Sequence, residues 1–327
     1  MKISVTVVTY NQQETIAQTL DSILCQQGDF ELEVVVGEDC STDNTLAICQ
    51  EYAERYPNVK LLSGPHNLGI VPNYFRTLKE CSGDFLSCIA GDDFYCDDHA
   101  LEKQSKYLLR HPKVGVMGAN GYRYFVRRDE LVLGLNNAIT AEDSKAKEFY
   151  FSPKYQGGVY FTPVGLMIRR EMLQYVDLDE IIRLQLPVED YPMQAIWSQY
   201  TKFACLPDPL VTYRVYKESA TFISYDHPKY MQYHRGLMEI RRYLRDKFAL
   251  QLFNYSEEYI QEYLFYREYL LYLHNGDFRN AKQLVDNCNL HTQKVDKARK
   301  MTANRLVFTL FRWYKVMILK KDLMSRT

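Results

Sequence analysis

The chain has 327 residues, of which 46% are hydrophobic and 25% charged, so a packed core is affordable and global disorder is excluded. Its length fits about two domains, or one large domain with an appendage. Forty Lys and Arg against 41 Asp and Glu give a formal net charge of −1, which excludes a uniformly basic nucleic-acid binder. The balance is not uniform: residues 292–327 hold ten Lys or Arg and two Asp, a net of +8, leaving a net of −9 for residues 1–291.

Residues 3–9 are β-branched and apolar and predict a buried strand, followed by a helix over 13–26 in which Ile16, Leu20, Ile23 and Leu24 recur at helical spacing. A second strand is expected over 32–36, a helix over 44–55 stopped before Pro57, and a short strand over 59–62. The turn Asn67-Leu68-Gly69 opens a helix running to Cys81, and Phe85–Ala90 is a fourth strand. Three βα alternations in ninety residues imply an α/β fold with a mostly parallel sheet flanked by helices. A helix over 98–110 and a strand over 114–117 follow. Residues 120–165, rich in Tyr, Gly and Pro, read as irregular. A helix is expected over 190–200, and short strands and loops over 201–225. Beyond 225 Gly becomes scarce, and apolar and charged residues recur at steps of three and four. That pattern predicts helices over 229–248, 255–274, 277–288 and 295–321. The division is therefore 1–225 and a C-terminal helical region, 226–327.

The eight cysteines form no CxxC pair and no zinc-spaced cluster with His. The N-terminus is strand-like and too short in its apolar run for a secretory leader, so reduced thiols and a cytoplasmic location are expected. No stretch has the roughly 18–20 apolar residues of a membrane span.

Ligands of open α/β sheets bind at the carboxyl ends of the strands. The polar residues there are Thr9-Tyr10-Asn11, Glu38-Asp39 and Gly91-Asp92-Asp93. Two adjacent carboxylates at a strand end repel unless a cation binds them, and Mg²⁺ or Mn²⁺ suits such oxygen donors; a solvated acidic turn is the competing reading. Asp39 is placed to accept a bond from a base imide, and Tyr10 to stack on the base, with ordinary strand-end turns as the alternative. Asp43 reads as a helix cap. Glu189-Asp190 begins the helix after Pro187; Asp190 is either a cap or a general base. No GxGxxG follows the first strand and no GxxxxGK[ST] occurs, which disfavours a dinucleotide site and a P-loop.

These stretches, in this order, resemble the family 2 inverting glycosyltransferases with the GT-A fold. The resemblance runs through Val5–Asn11, Gly37–Asp43, His66–Gly69, Ser82–Phe85, Ala90–Asp93, Glu189-Asp190 and Tyr213-Arg214 with Ser219. It covers residues 1–225; residues 226–327 have no such match. It implies a nucleotide-diphospho-sugar donor, with a UDP-sugar as the default, and a carbohydrate or lipid-linked saccharide acceptor. The setting would be cell-surface polysaccharide or lipopolysaccharide synthesis. Thr9, Tyr10, Asp39 and Asp92 would hold the nucleotide, Asp93 with Asp92 the metal, and Asp190 would be the base. Two departures stand out: Glu38 where the family often has Asp, and Ala90 where it often has a further acid. The rival readings are a sugar nucleotidylyltransferase, which lacks its Gly-rich basic loop here, and a degenerate nucleotide-sugar-binding scaffold. The basic tail, with its apolar and aromatic residues over 306–319, either lies on an anionic inner-membrane surface or packs against the rest of the protein.

Overall fold

The computed structural model describes residues 1–140, 144–155, 157–216 and 229–326, with side chains described as far as Lys315. The chain divides into two compact units, Met1–Val215 and Tyr216–Thr327. The boundary expected at 225 lies outside the described residues.

The first unit opens β1 (Lys2–Thr9), α1 (Ile16–Leu24), β2 (Glu31–Glu38), α2 (Thr45–Arg55), β3 (Val59–Leu62), α3 (Ile70–Lys79) and β4 (Phe85–Ala90). It continues β5 (Phe94–Tyr95), α4 (Ala100–Arg110), β6 (Val114–Phe125), β7 (Glu130–Leu133), α5 (Ala146–Tyr150), β8 (Leu166–Arg169), α6 (Leu178–Arg183), α7 (Asp190–Trp197) and β9 (Lys202–Val215). The strands form one sheet in the order β3-β2-β1-β4-β8-β6-β9-β5, with β7 paired to β6. β1 through β4 pair in parallel, as does β6 with β9, and the remaining pairings are antiparallel. The sheet is thus mixed but parallel over most of its paired length.

After β1 the chain steps to β2 and β3 on one side and then returns to β4 on the other. β1 is therefore the switch point of the topology, and open α/β sheets bind their ligands beyond the carboxyl ends of the strands at such a point. Register levels the three ends: Thr9 pairs with Glu38 and Val8 with Ala90. Ile3, Val5, Val7, Val34, Val36 and Ile89 are buried on one face beneath this rim, and Val35 and Leu86 are buried on the other, as in a helix-covered parallel sheet.

Two expectations for the first unit are corrected. Residues 120–165 are not irregular throughout, because β6 runs on to Phe125 and turns back as β7. Residues 202–215 form one 14-residue strand, not several short ones. Pro207 and Pro209 concealed it. The β6–β9 register shifts around Asn120, whose Nδ2 donates to the Pro207 carbonyl at 2.9 Å, so that bulges absorb the missing amide donors. Gly121 is required at this bulge, since a Cβ there would meet the Val211 carbonyl oxygen at 1.9 Å.

The second unit holds α8 (Tyr230–Phe248), α9 (Glu257–Asn275), α10 (Phe278–Asp286), α11 (Gln293–Met301) and α12 (Arg305–Arg326). Ser256, Asp277 and Thr292 cap α9, α10 and α11 through their side-chain oxygens. The helix expected over 295–321 is two helices. Thr302 ends the first by donating its hydroxyl to the Ala298 carbonyl, and Asn304 Oδ1 accepts from Val307 N at 2.9 Å to begin the second. Phe265, Tyr269, Leu273, Val295, Ala298 and Phe308 form the core. Among the described residues no helix is long and apolar enough to cross a membrane.

Candidate active site

The rim is built from the turns that leave β1, β2 and β4. Asn11 and Cys40 both take positive φ, +52° and +60°, conformations that non-glycine residues hold only when the surroundings fix them. The two turns are bolted together. Asn11 N donates to Ser41 Oγ at 2.9 Å, and Thr42 N donates to Asn11 Oδ1 at 2.8 Å. Glu38, fully buried, holds the second turn by accepting from Cys40 N and Ser41 N at 3.2 and 2.6 Å. The N-cap of α2 is Asn44, not Asp43; Asp43, one residue before it, accepts from Thr45 N at 2.9 Å and so holds the turn that enters the helix.

Thr9 is buried. Its hydroxyl donates to Gln12 Oε1 at 2.9 Å and its carbonyl accepts from Asp39 N at 3.0 Å, so it forms the floor of the crevice. Tyr10 is 46% exposed, with its ring available to a planar ligand. Asp39 is buried and already carries two bonds. Oδ1 accepts from Leu68 N at 2.8 Å and Oδ2 from Gly69 N at 2.9 Å, while its carbonyl accepts from Asn67 Nδ2 at 2.9 Å. Each carboxylate oxygen keeps a free lone pair for a ligand donor. The Asn67–Gly69 turn is thus tied to the same crevice.

Asp92 and Asp93 leave β4 through Gly91, whose carbonyl accepts from the hydroxyls of Thr15 and Thr19 at 2.9 and 3.0 Å. Asp93 is 1% exposed; its Oδ1 accepts from Arg214 N at 2.8 Å. The Arg214 guanidinium, itself buried, bonds the Asp92 carbonyl and Gln18 Oε1 and lies 4.7 Å from the centre of the Phe94 ring. Burial pushes the Asp92 carboxyl up; burial and then the charge of Asp92 push Asp93 well above the usual carboxylate range. A hard divalent cation fits this pair because it relieves that repulsion. Among the described residues no three His, Cys, Asp or Glu side chains gather as a metal site, so Asp92 and Asp93 would hold such an ion with oxygens from a ligand and water.

Asp190 is the first residue of α7 and half-buried; Oδ1 accepts from Tyr191 N at 2.6 Å. Burial raises its carboxyl to about 6, and burial with the charge of Asp190 raises Glu189 to about 8. A chain of bonds connects this helix to β4. Gln194 pairs with both backbone groups of Phe161 at 2.8 and 3.0 Å, Gly165 N donates to the Cys88 carbonyl at 2.8 Å, and Cys88 Sγ donates to the Pro163 carbonyl at 3.1 Å. Cys88 lies four residues before Asp92, and burial followed by the charge of Glu189 pushes its thiol up to about 12. Thr9, Tyr10, Asp39, Asp92 and Asp93 therefore share one rim, and the bonds of Gln194 tie α7, which Asp190 begins, to β4 at Cys88 through the 161–165 segment. Sequence reasoning missed Gln12, Gln18 and Glu38 as supports, and gave Arg214 no role although Tyr213-Arg214 marked its strand. Ser219 lies outside the described residues.

The profile of the family described as Glycosyl transferase family 2 matches residues 4–176. An uncharacterized protein of Mycobacterium tuberculosis is 39% identical over 114 residues, 35% of this chain and 33% of its own length. This chain thus spans about a third of that relative. The poly(ribitol-phosphate) β-N-acetylglucosaminyltransferase TarS of Staphylococcus aureus is 35% identical over 130 residues, 37% of this chain and 22% of its own. The crystal structure of TarS 1-349 with UDP-GlcNAc superposes with a TM-score of 0.57 at 18% identity, covering 98% of this chain and 92% of that one. A mannosyltransferase of Pyrobaculum calidifontis, in complex with GDP-Man and Mn²⁺, gives 0.53 at 17% identity over 96% and 87%. At these identities the two structures establish a shared GT-A fold.

Proposed function

This chain belongs to glycosyl transferase family 2, and from that membership and the geometry of the rim we propose that it moves a sugar from a nucleotide-diphospho-sugar, a UDP-sugar by preference, to an acceptor hydroxyl with inversion. The observation that carries the reading is the levelling of three strand ends by the β1–β2 and β1–β4 registers, which gathers Tyr10, Asp39 and Asp92-Asp93 at one crevice. Tyr10 stacks on the base, over the floor made by Thr9. Asp39 accepts the imide N–H with the lone pairs that Leu68 and Gly69 leave free. Asp92 would meet the ribose and diphosphate, and Asp92 and Asp93 would hold Mg²⁺ or Mn²⁺. When bound, the cation neutralises charge on the departing diphosphate. Support for such an ion comes from the repelling carboxylate pair and from the Mn²⁺ in the mannosyltransferase complex.

Asp190 is the base. Raised to about 6, it is ionised at neutral pH yet basic enough to take the acceptor proton. The acceptor oxygen attacks the anomeric carbon on the face opposite the nucleoside diphosphate. The bond from that carbon to phosphate oxygen breaks, and the proton rests on Asp190. One base suffices, and no covalent enzyme intermediate is needed. The acceptor in this reading is a carbohydrate or lipid-linked saccharide of a cell-surface polysaccharide or lipopolysaccharide, glycosylated in the cytoplasm. The test is nucleotide release from UDP-, GDP- and dTDP-sugars with a panel of hydroxyl acceptors, with and without Mn²⁺. Mn²⁺-dependent release of UDP supports the proposal. Release of nucleotide monophosphate, or equal rates in chelator, would overturn the mechanism.

A further inference from the structure

Helix α12 presents two unlike faces. Phe308, 1% exposed, sits in the core of the second unit, and Phe311 packs against that core. On other positions of the same helix Leu306, Leu310, Trp313 and Tyr314 are 70%, 60%, 65% and 57% exposed. Steps of four, three and one place these four residues on one strip. Packing within the unit therefore accounts for one strip of the helix and leaves the other, with its large aromatic and aliphatic groups, in water. Contiguous exposed apolar groups of this size mark a contact surface.

The charge around the strip selects the occupant. Arg305 and Arg312 are exposed on the flank of the helix between this strip and Phe308, Arg312 Nε donating to the His274 carbonyl at 3.0 Å, and residues 292–327 together carry a net of +8. A second copy of the chain meeting this one strip to strip would bring +8 against +8. An anionic phospholipid surface matches both features: Leu side chains enter the acyl boundary, Trp and Tyr rings sit at headgroup level, and guanidinium and ammonium groups meet lipid phosphate. No described helix is long and apolar enough to span, so the contact is one of lying in the surface. We infer that α12 docks the protein on anionic membranes through Leu306, Leu310, Trp313 and Tyr314, with Arg305 and Arg312 supplying electrostatic attraction.

The chain has two tryptophans, and this makes the test direct. Trp197 is 1% exposed in the first unit and silent to the outside, so a change in fluorescence on binding reports Trp313. The full-length protein is mixed with vesicles of phosphatidylglycerol and phosphatidylcholine, or of phosphatidylcholine alone, at low and at high salt. The expected result is flotation with the anionic vesicles and a blue shift of emission, both lost in high salt and with neutral vesicles. The variant Leu306→Ser/Leu310→Ser/Trp313→Ser changes only exposed side chains; it is expected to keep its circular dichroism and lose at least about tenfold in vesicle affinity. Arg305→Glu is expected to weaken binding at low salt and to flatten the salt dependence, because less of the attraction is left for salt to screen. Absence of flotation, or equal binding to neutral vesicles, overturns the inference. So does a concentration-dependent dimer that the triple variant abolishes, since the strip would then be an interface between copies. The assay contains neither donor nor acceptor, so its outcome is separate from that of the transfer reaction proposed above.

Discussion

Asp190 stands at the start of α7 with its carboxyl raised to about 6 by burial, beside Glu189 at about 8. A base so placed costs stability while it is ionised and serves chemistry because it is. Asp190→Asn is therefore expected to bind UDP as the parent does, to lose transfer by about 10²–10⁴-fold, and to melt at the same temperature or higher. Transfer at the parent rate removes Asp190 as the base. In the parent, the rate at saturating donor is expected to fall as pH drops through about 6, because the protonated acid takes no proton. Arg214 acts at the same scale but through others. Its amide fixes Asp93 in any variant, whereas only the guanidinium fork reaches the Asp92 carbonyl and Gln18 together. Arg214→Lys keeps a cation and loses the fork. It is expected to weaken Mn²⁺-dependent UDP binding about tenfold by calorimetry, with a smaller effect in chelator. Equal losses in both conditions would make Arg214 a support of the fold alone.

At the scale of elements, what the sequence reveals depends on how local the cause is. The βα alternation up to Ala90 was legible because each strand and helix carries its own period, and the strand-end clusters followed from it. Asp92-Asp93 and Asp39 were found on that basis. The bonds that Asp39 receives from Leu68 and Gly69 were not, since they close across 29 and 30 residues. Strand β9 was hidden by prolines that only a bulged partner accommodates, and the break at 302–304 by a period that continues across it. Gly91 shows the same division. Its place after the fourth strand was legible, but its necessity comes from contact: a Cβ there would lie 2.6 Å from Gln12 Oε1 and 2.7 Å from Thr9 Oγ1. Gly91→Ala must displace the floor of the crevice or the loop bearing both carboxylates. We expect a loss of about 1–3 kcal/mol in stability, read as a lowered Tm, together with a raised KM for the donor. An unchanged KM would mean that the loop shifts without disturbing the nucleotide.

At the scale of the molecule, the two units carry opposite pH responses. In the first, Glu189 and Asp190 are raised to about 8 and about 6, above the roughly 4.3 and 3.9 of unfolded Glu and Asp. The folded unit thus holds more protons than the unfolded one across that window, and its stability falls as pH rises towards 8. Glu33 opposes this only in acid. Burial pulls it up, but bonds from Ser4, Ser82 and Lys2 outweigh burial and hold it at about 2. Its contribution is complete above about 4.3 and is lost as pH falls towards 2. In the second unit, burial and the charge of Arg267 hold His234 at about 4. It is neutral where the unfolded residue, near 6.5, is charged, so stability there rises with pH from about 4 to about 6.5 and is then level. Trp313→Phe leaves Trp197 as the only tryptophan, and its emission follows the first unit alone. That transition is expected to move to lower temperature between pH 6 and pH 8 in the absence of ligand. UDP with Mn²⁺ should raise it at either pH, because the cation would relieve the repulsion between Asp92 and Asp93. A transition that is level or rises over this range would mean that Glu189 and Asp190 are not strained by burial, and the basis for a tuned base would go with it.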